Sequence, residues 1–138
     1  MEAYLTFNGN AAEALAFYAQ ALGGKVAFSM TFGESPMGAD MPAAEKGKIM
    51  HATLEARGHK LMASDAPPDY PFKGYHGFSL SVQAKDVKEG EKLFNALGAG
   101  GKVTMPYAAT FWSPGFGMIE DKFGVAWMVN VEQVPTTA

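Results

Sequence analysis

The pattern of hydrophobic and polar positions along this 138-residue chain predicts the same succession of helix and strands twice. Apolar residues at helical spacing lie between runs that alternate as half-buried strands do. In the first half the helix covers 11–22, and strand-like runs lie at 4–7, 26–32, 49–55 and 60–64. In the second half the helix covers 87–97, and strand-like runs lie at 78–82, 103–111, 117–120 and 125–131. The pattern predicts an α+β chain of two tandem βαβββ modules.

Short sequence signals set the module boundaries. Gly23-Gly24-Lys25-Val26 recurs at 100–103, and each copy follows a helix that opens like a capping box, at Asn10 and at Asp86. The modules are predicted at 1–65 and 72–132, with a proline-rich linker at 66–71 and a tail at 133–138. Each module alone leaves one sheet face uncovered, so we expect 1–132 to form a single domain whose modules cover each other or enclose a cavity. Residues 33–48 are predicted to be a mobile loop.

Composition narrows the classes of function. Acidic residues exceed basic ones by 14 − 11 = 3, and no Lys/Arg cluster occurs, which argues against nucleic acid or an anionic membrane as partner. The absence of cysteine excludes disulfides, thiolate nucleophiles and Cys-ligated zinc. We find neither a long apolar run nor a signal-peptide pattern, so the expected location is cytoplasmic.

His51 is the first candidate for a binding site. It alternates with Thr53 and Glu55 on one strand face, while Ala52 and Leu54 occupy the other. The apolar face is expected to pack on the helix, so His51 would face a cavity or solvent, together with Met62 of the partner strand. The alternative is a structural histidine that bonds a backbone group.

Three further residues have two interpretations each. Asp65 either closes its strand as an Asx-type turn or places a carboxylate at the rim of a pocket. In the stretch at 111–117, aromatic residues alternate with Ser, Pro and Gly, so Trp112 and Phe116 either belong to the core or are presented to a ligand by a bent strand.

The sequence contains no phosphate-binding loop, dinucleotide fingerprint, nucleophile elbow or zinc-protease motif.

Several motifs resemble one known family. They are the opening 4–10, Glu13-Ala14, Phe17-Tyr18, Leu22-Gly23, His51-Ala52, Leu61-Met62, Ser64-Asp65, Thr110-Phe111-Trp112, Gly115-Phe116-Gly117 and the string 121–125 with Trp127. In this order they resemble the PhnB-like family of the glyoxalase, bleomycin-resistance and extradiol-dioxygenase (vicinal oxygen chelate) superfamily. Some members are labelled demethylubiquinone methyltransferases, although nothing in this sequence looks like a methyl-donor site.

The resemblance implies paired βαβββ modules, a homodimer and a pocket in each curved sheet. In metal-using relatives, four strand positions supply His, Gln or Glu ligands. Aligned by the repeat, these positions fall near Glu2 or Ala3, at Met62, at His76 or Gly77, and at Met128. Thioethers are poor ligands for a hard divalent ion, so we expect no cofactor and no catalytic metal.

Two hypotheses of function follow from the resemblance. The first is a protein that binds a small aromatic or amphipathic molecule in a curved-sheet pocket; its expected ligand-binding residues are His51, Met62, Asp65, Trp112, Phe116 and Met128. The second is a metal-dependent lyase or dioxygenase that uses His51 or His76 with a carboxylate. Glu2 and His76 are the residues on which a metal site would depend.

Overall fold

In the computed structural model, residues 1–132 are described, and the chain divides into two compact units, with the first covering Met1–Lys73 and the second beginning at Gly74. The division falls just after the predicted linker at 66–71. The predicted tail at 133–138 lies outside the described residues. No helix within 1–132 is long and apolar enough to cross a membrane.

Unit 1 contains one four-stranded sheet and one long helix. Its elements are β1 (Ala3–Phe7), α1 (Ala11–Leu22), β2 (Lys25–Thr31), α2 (Ala43–Lys46), β3 (Ile49–Ala56) and β4 (His59–Asp65). The strand order is β1-β4-β3-β2; β1 runs parallel to β4, and the other neighbours are antiparallel. We call this sheet 1.

Unit 2 repeats the same connectivity. Its elements are β5 (Leu80–Ala84), α3 (Val87–Gly98), β6 (Lys102–Ala108), β7 (Phe116–Glu120) and β8 (Ala126–Val131). The strand order is β5-β8-β7-β6, again with one parallel pair, β5 and β8. We call this sheet 2. The predicted α+β class with two βαβββ modules is confirmed.

Each helix packs on one face of its own sheet and forms the core there. In unit 1 the buried residues of α1 are Ala11, Ala14, Leu15 and Tyr18, and those of the sheet are Leu5, Phe7, Ala52, Leu54, Leu61 and Ala63. In unit 2 the ring of Phe94 lies so close to Gly117 that a Cβ there would come within 2.7 Å of it. Since successive strand residues alternate between faces, the other face of each sheet carries the residues in between. We call it the open face.

The two helix starts differ from each other. The capping box predicted at Asp86 is confirmed, because its carboxylate accepts the Glu89 amide at 2.8 Å. The one predicted at Asn10 is wrong, because its side chain makes no capping hydrogen bond. Instead Asp65, at the end of β4, accepts the Ala11 amide at 2.9 Å. Asp65, which is distant in sequence, thus supplies the acceptor that a local N-cap side chain usually provides.

The segment predicted as a loop at 33–48 contains local structure. It forms a 3-10 turn at Gly38–Asp40 and the short helix α2. Its ends are tied together, since the Phe32 amide donates to the Lys48 carbonyl at 2.9 Å. The predicted turns are confirmed: Arg57 and Gly58, both with positive φ, join β3 to β4, and the segment from Lys122 to Gly124 joins β7 to β8.

Candidate functional site: the open sheet faces

The open face of sheet 1 carries a row of uncharged side chains. Cross-strand pairing sets Tyr4 opposite Met62, Met62 opposite Thr53, and Thr53 opposite Phe28. Directly paired residues project to the same side of a sheet, so the row spans all four strands. Tyr4 and Phe28 are each 48% exposed, a large exposure for aromatic side chains in a sheet.

His51 lies beside this row, with hydroxyl groups near both of its ring nitrogens. Tyr4 Oη is 3.3 Å from Nδ1, and Thr53 Oγ1 is 3.4 Å from Nε2. A hydroxyl both donates and accepts, so either neutral tautomer and the imidazolium can be accommodated. Both distances are long for hydrogen bonds, so a ligand atom can replace either partner at little cost.

Two aromatic rings flank the His51 imidazole. The ring centroid of Tyr4 is 5.7 Å away and that of Phe28 is 6.0 Å away, both in tilted arrangements. Such spacing is that of favourable aromatic pairs. His51, Thr53 and Met62 are therefore all on the open face, as predicted, and the sequence analysis missed Tyr4 and Phe28. The signal for Tyr4 was present, because it alternates with the buried Leu5 in β1.

The open face of sheet 2 is richer in methionine. Pairing sets Met105 opposite Met118, Met118 opposite Met128, and Met128 opposite Ser81. In the next row, Phe116 is opposite Asn130, which is opposite Gln83. Methionine side chains are flexible and polarisable, so this face can adapt to the shape of an apolar ligand.

Trp112 lies in the bend between β6 and β7, and its ring packs on Phe116 with centroids 5.2 Å apart. The bend has its own hydrogen bonds. Thr110 Oγ1 accepts the amides of Trp112 at 3.3 Å and Ser113 at 3.1 Å. The buried Ser113 hydroxyl lies 2.8 Å from the Val131 carbonyl, which ties the bend to β8. These hydrogen bonds hold the bend in a conformation that leaves Trp112 43% exposed.

Asp65 has a structural position. It is 1% exposed, and its carboxylate oxygens accept the Ala11 amide at 2.9 Å and the Ile49 amide at 2.8 Å. These bonds connect the start of α1 and the start of β3 to the end of β4. Neither the Asx-turn interpretation nor the pocket-rim interpretation describes this arrangement. Contact of Asp65 with a ligand stays a prediction.

The strand register sets Tyr4 opposite Met62 and Ser81 opposite Met128. The expectation that ligand positions fall near Glu2 or Ala3 and at His76 or Gly77 stays a prediction. Glu2 precedes β1, and the exposed His76 lies in the irregular segment before β5.

The paired donors are a phenol and a thioether on sheet 1, and a hydroxyl and a thioether on sheet 2, and neither pair suits a hard divalent cation. Within residues 1–132, no three His, Asp or Glu side chains are grouped closely enough to hold a metal ion.

Two groups with a shifted pKa, Glu34 and Tyr107, lie away from the open faces. The Thr31 amide, followed by the Thr31 hydroxyl, lowers the pKa of the exposed Glu34 by bonding its carboxylate. Burial, followed by the charges of Glu91 and Asp86, raises the pKa of Tyr107, whose ring packs on Phe94 on the helix side of sheet 2.

Comparisons with known proteins cover almost the whole chain. Residues 1–130 match the model of the family described as 3-demethylubiquinone-9 3-methyltransferase. The chain is 39% identical to Protein YjdN of Escherichia coli, over 96% of each sequence. It is 50% identical to protein PA1353 of Pseudomonas aeruginosa, whose crystal structure it matches with a TM-score of 0.88 over 97% of this chain and 98% of the other.

A structure of the PhnB protein from Bacillus cereus is similar at 26% identity and a TM-score of 0.80, over 95% of this chain and 98% of that one. At the level of fold alone, the chain also resembles the fosfomycin resistance protein FosX of Listeria monocytogenes, with 8% identity and a TM-score of 0.67 over 97% and 93% of the two chains. The resemblance inferred from the motifs is confirmed.

Proposed function

The chain belongs to the PhnB-like, 3-demethylubiquinone-9 3-methyltransferase family of the vicinal oxygen chelate superfamily, and from this premise we propose that its open sheet faces bind a small aromatic or amphipathic molecule without a catalytic metal. Of the expected ligand-binding residues, His51 and Met62 would contact a molecule bound on sheet 1. Trp112, Phe116 and Met128 would contact a molecule bound on sheet 2.

One observation carries this proposal: partly exposed aromatic and methionine side chains are concentrated on the open faces, while the large side chains of the helix-packed faces, such as Phe7, Leu54 and Trp127, are buried. Exposed large apolar side chains grouped in one place mark binding surfaces more often than single ones do. The polar groups between them are neutral hydroxyls, amides and an imidazole, which orient a ligand without demanding a charge on it.

The alternative is a metal-dependent lyase or dioxygenase of the same superfamily. Such chemistry needs an ion held by hard donors that polarises a substrate oxygen. The pairs Tyr4–Met62 and Ser81–Met128 at the strand centres support the metal-free proposal instead, because thioethers are poor ligands for such an ion. His51, with two hydroxyl neighbours, suits hydrogen bonding to a ligand better than ligation of a metal.

The discriminating experiment combines metal analysis with binding. The protein is purified without added metal, dialysed against EDTA and titrated with benzofuran, a small aromatic probe, by following the fluorescence of Trp112 and Trp127 together. We expect less than about one-tenth of an equivalent of transition metal before dialysis, and the same benzofuran affinity before and after it. Stoichiometric zinc, manganese, nickel or iron, with binding lost on its removal, would support the alternative.

We further propose a homodimer in the cytoplasm. Large apolar side chains remain exposed within each unit, Phe111 at 95% among them, and burying such side chains is the main driving force of association. Light scattering is expected to give twice the chain mass of 14.7 kDa. A monomer mass at all micromolar concentrations would contradict the dimer.

A further inference from the structure

On the open face of sheet 2, Asn130 has a buried polar atom that makes no hydrogen bond with any described residue. Its Oδ1 is closed to solvent and accepts no hydrogen bond from any described residue. Its Nδ2, by contrast, donates to Gln83 Oε1 at 2.8 Å. A buried acceptor left without a donor costs free energy, so such atoms in native proteins call for a specific explanation.

The orientation of the Asn130 amide is supported by its neighbours. Gln83 Nε2 donates to Ser81 Oγ at 3.3 Å, so the amides of Asn130 and Gln83 form one series of hydrogen bonds that ends on Ser81. Reversing Asn130 alone would set its carbonyl oxygen against that of Gln83. In this arrangement Asn130 Oδ1 is the acceptor without a partner at the start of the series.

The partner of Asn130 on β7 and its two neighbours in β8 are apolar. Phe116 is its direct cross-strand partner, and the Trp112 ring packs on Phe116. Val129 and Val131, the neighbours of Asn130 in β8, point to the helix side and are buried there. The acceptor thus lies next to an aromatic surface on the face that we assign to binding.

We propose that Asn130 Oδ1 accepts a hydrogen bond from a donor group, an N–H or O–H, on the edge of the bound aromatic molecule. This inference rests on the proposed function and adds the class of ligand to it: a planar apolar molecule that carries a hydrogen-bond donor. Asn130 is then the residue that discriminates between ligands of the same shape, because a molecule without the donor leaves Oδ1 unpaired.

The test compares indole with benzofuran, which have nearly the same shape but differ in one atom: indole has a ring N–H where benzofuran has an ether oxygen. In the unmodified protein we expect indole to bind about five- to tenfold more tightly, the worth of one neutral hydrogen bond. Asn130→Leu should reduce this ratio to about one, mainly by weakening indole. Asn130→Asp should keep the preference, since it retains the acceptor and Gln83 can reverse its amide to donate to it.

Asn95→Leu, at an exposed position of α3 on the helix side of sheet 2, serves as a matched control and should leave the indole ratio unchanged. Equal affinities of indole and benzofuran in the unmodified protein would overturn the role of Asn130, including the case in which Oδ1 bonds only a water molecule. In that case the binding of benzofuran itself would still support the proposed function. Failure of both probes to bind at millimolar concentration would overturn both proposals.

Discussion

Replacing Asp65 with alanine is expected to lower the free energy of unfolding of unit 1 by about 2 to 4 kcal/mol, since it removes two charge-assisted hydrogen bonds and leaves two backbone N–H groups without an acceptor. Those groups belong to Ala11 and Ile49, at the starts of α1 and β3. Both bonds are buried, so water does not readily replace the lost acceptor. Urea denaturation followed by circular dichroism measures the loss.

Asp69 offers a matched control, because it is an exposed aspartate in the turn that follows the same strand. Asp69→Ala should change the unfolding free energy by no more than about 0.5 kcal/mol. Asp65→Asn should have an intermediate effect, since the amide keeps one acceptor oxygen. If Asp65→Ala is as stable as Asp69→Ala, the carboxylate does not hold the helix start, and the pocket-rim interpretation of Asp65 becomes the better one.

Replacing His51 with alanine is expected to weaken benzofuran binding about tenfold while changing the unfolding free energy by less than about 1 kcal/mol. The loss of binding follows from removing the ring between Tyr4 and Phe28. Stability should hold because the hydroxyls of Tyr4 and Thr53 are accessible enough to bond water instead. Fluorescence titration and urea denaturation on the same preparation give the two quantities.

His59 is the control for this experiment, because it is exposed at the hairpin end of β4, outside the row around His51. His59→Ala should leave both the affinity and the stability as they are. A His51→Ala variant that loses several kcal/mol of stability, yet binds benzofuran with full affinity when folded, would assign His51 to structure.

Much of the fold follows from the sequence because its signals are local. The repeated Gly-Gly-Lys-Val after each helix and the turns at Arg57-Gly58 and Phe123-Gly124 each act over a few residues. These residues indicate where helices and strands end. Because the order of one strand, one helix and three strands occurs twice, the sequence also predicts the two modules. The predicted start at Phe78 of the fifth strand was two residues early, because Gly74 and Gly77 adopt positive φ and keep the segment before Leu80 irregular.

The parts that the sequence could not supply depend on long-range pairing. Asn10 and Glu13 look like a capping box, but Asp65, 54 positions from Ala11, supplies the acceptor. The parallel pairing of β1 with β4 sets Tyr4 beside Met62, and neither strand carries a local signal for this register.

The aromatic neighbours of His51 could not be predicted from the sequence, because they too depend on long-range strand pairing. Alternation predicted its face and its neighbour Thr53, but only the register across four strands brings Tyr4 and Phe28 beside it. The free acceptor of Asn130 likewise depends on the pairing of β5 with β8, which brings Gln83 to its donor side.

The measurement that tests the central claim most directly is the mapping of bound benzofuran by NMR, with backbone amide and methionine methyl shifts followed through a titration of metal-free protein. The proposal predicts that the largest changes occur at residues of the open faces, above all His51, Met62, Phe116, Met118 and Met128, with little change on α1 and α3. Changes confined to the helices or to the loops at 33–48 and 66–79, with the open faces unaffected, would contradict it.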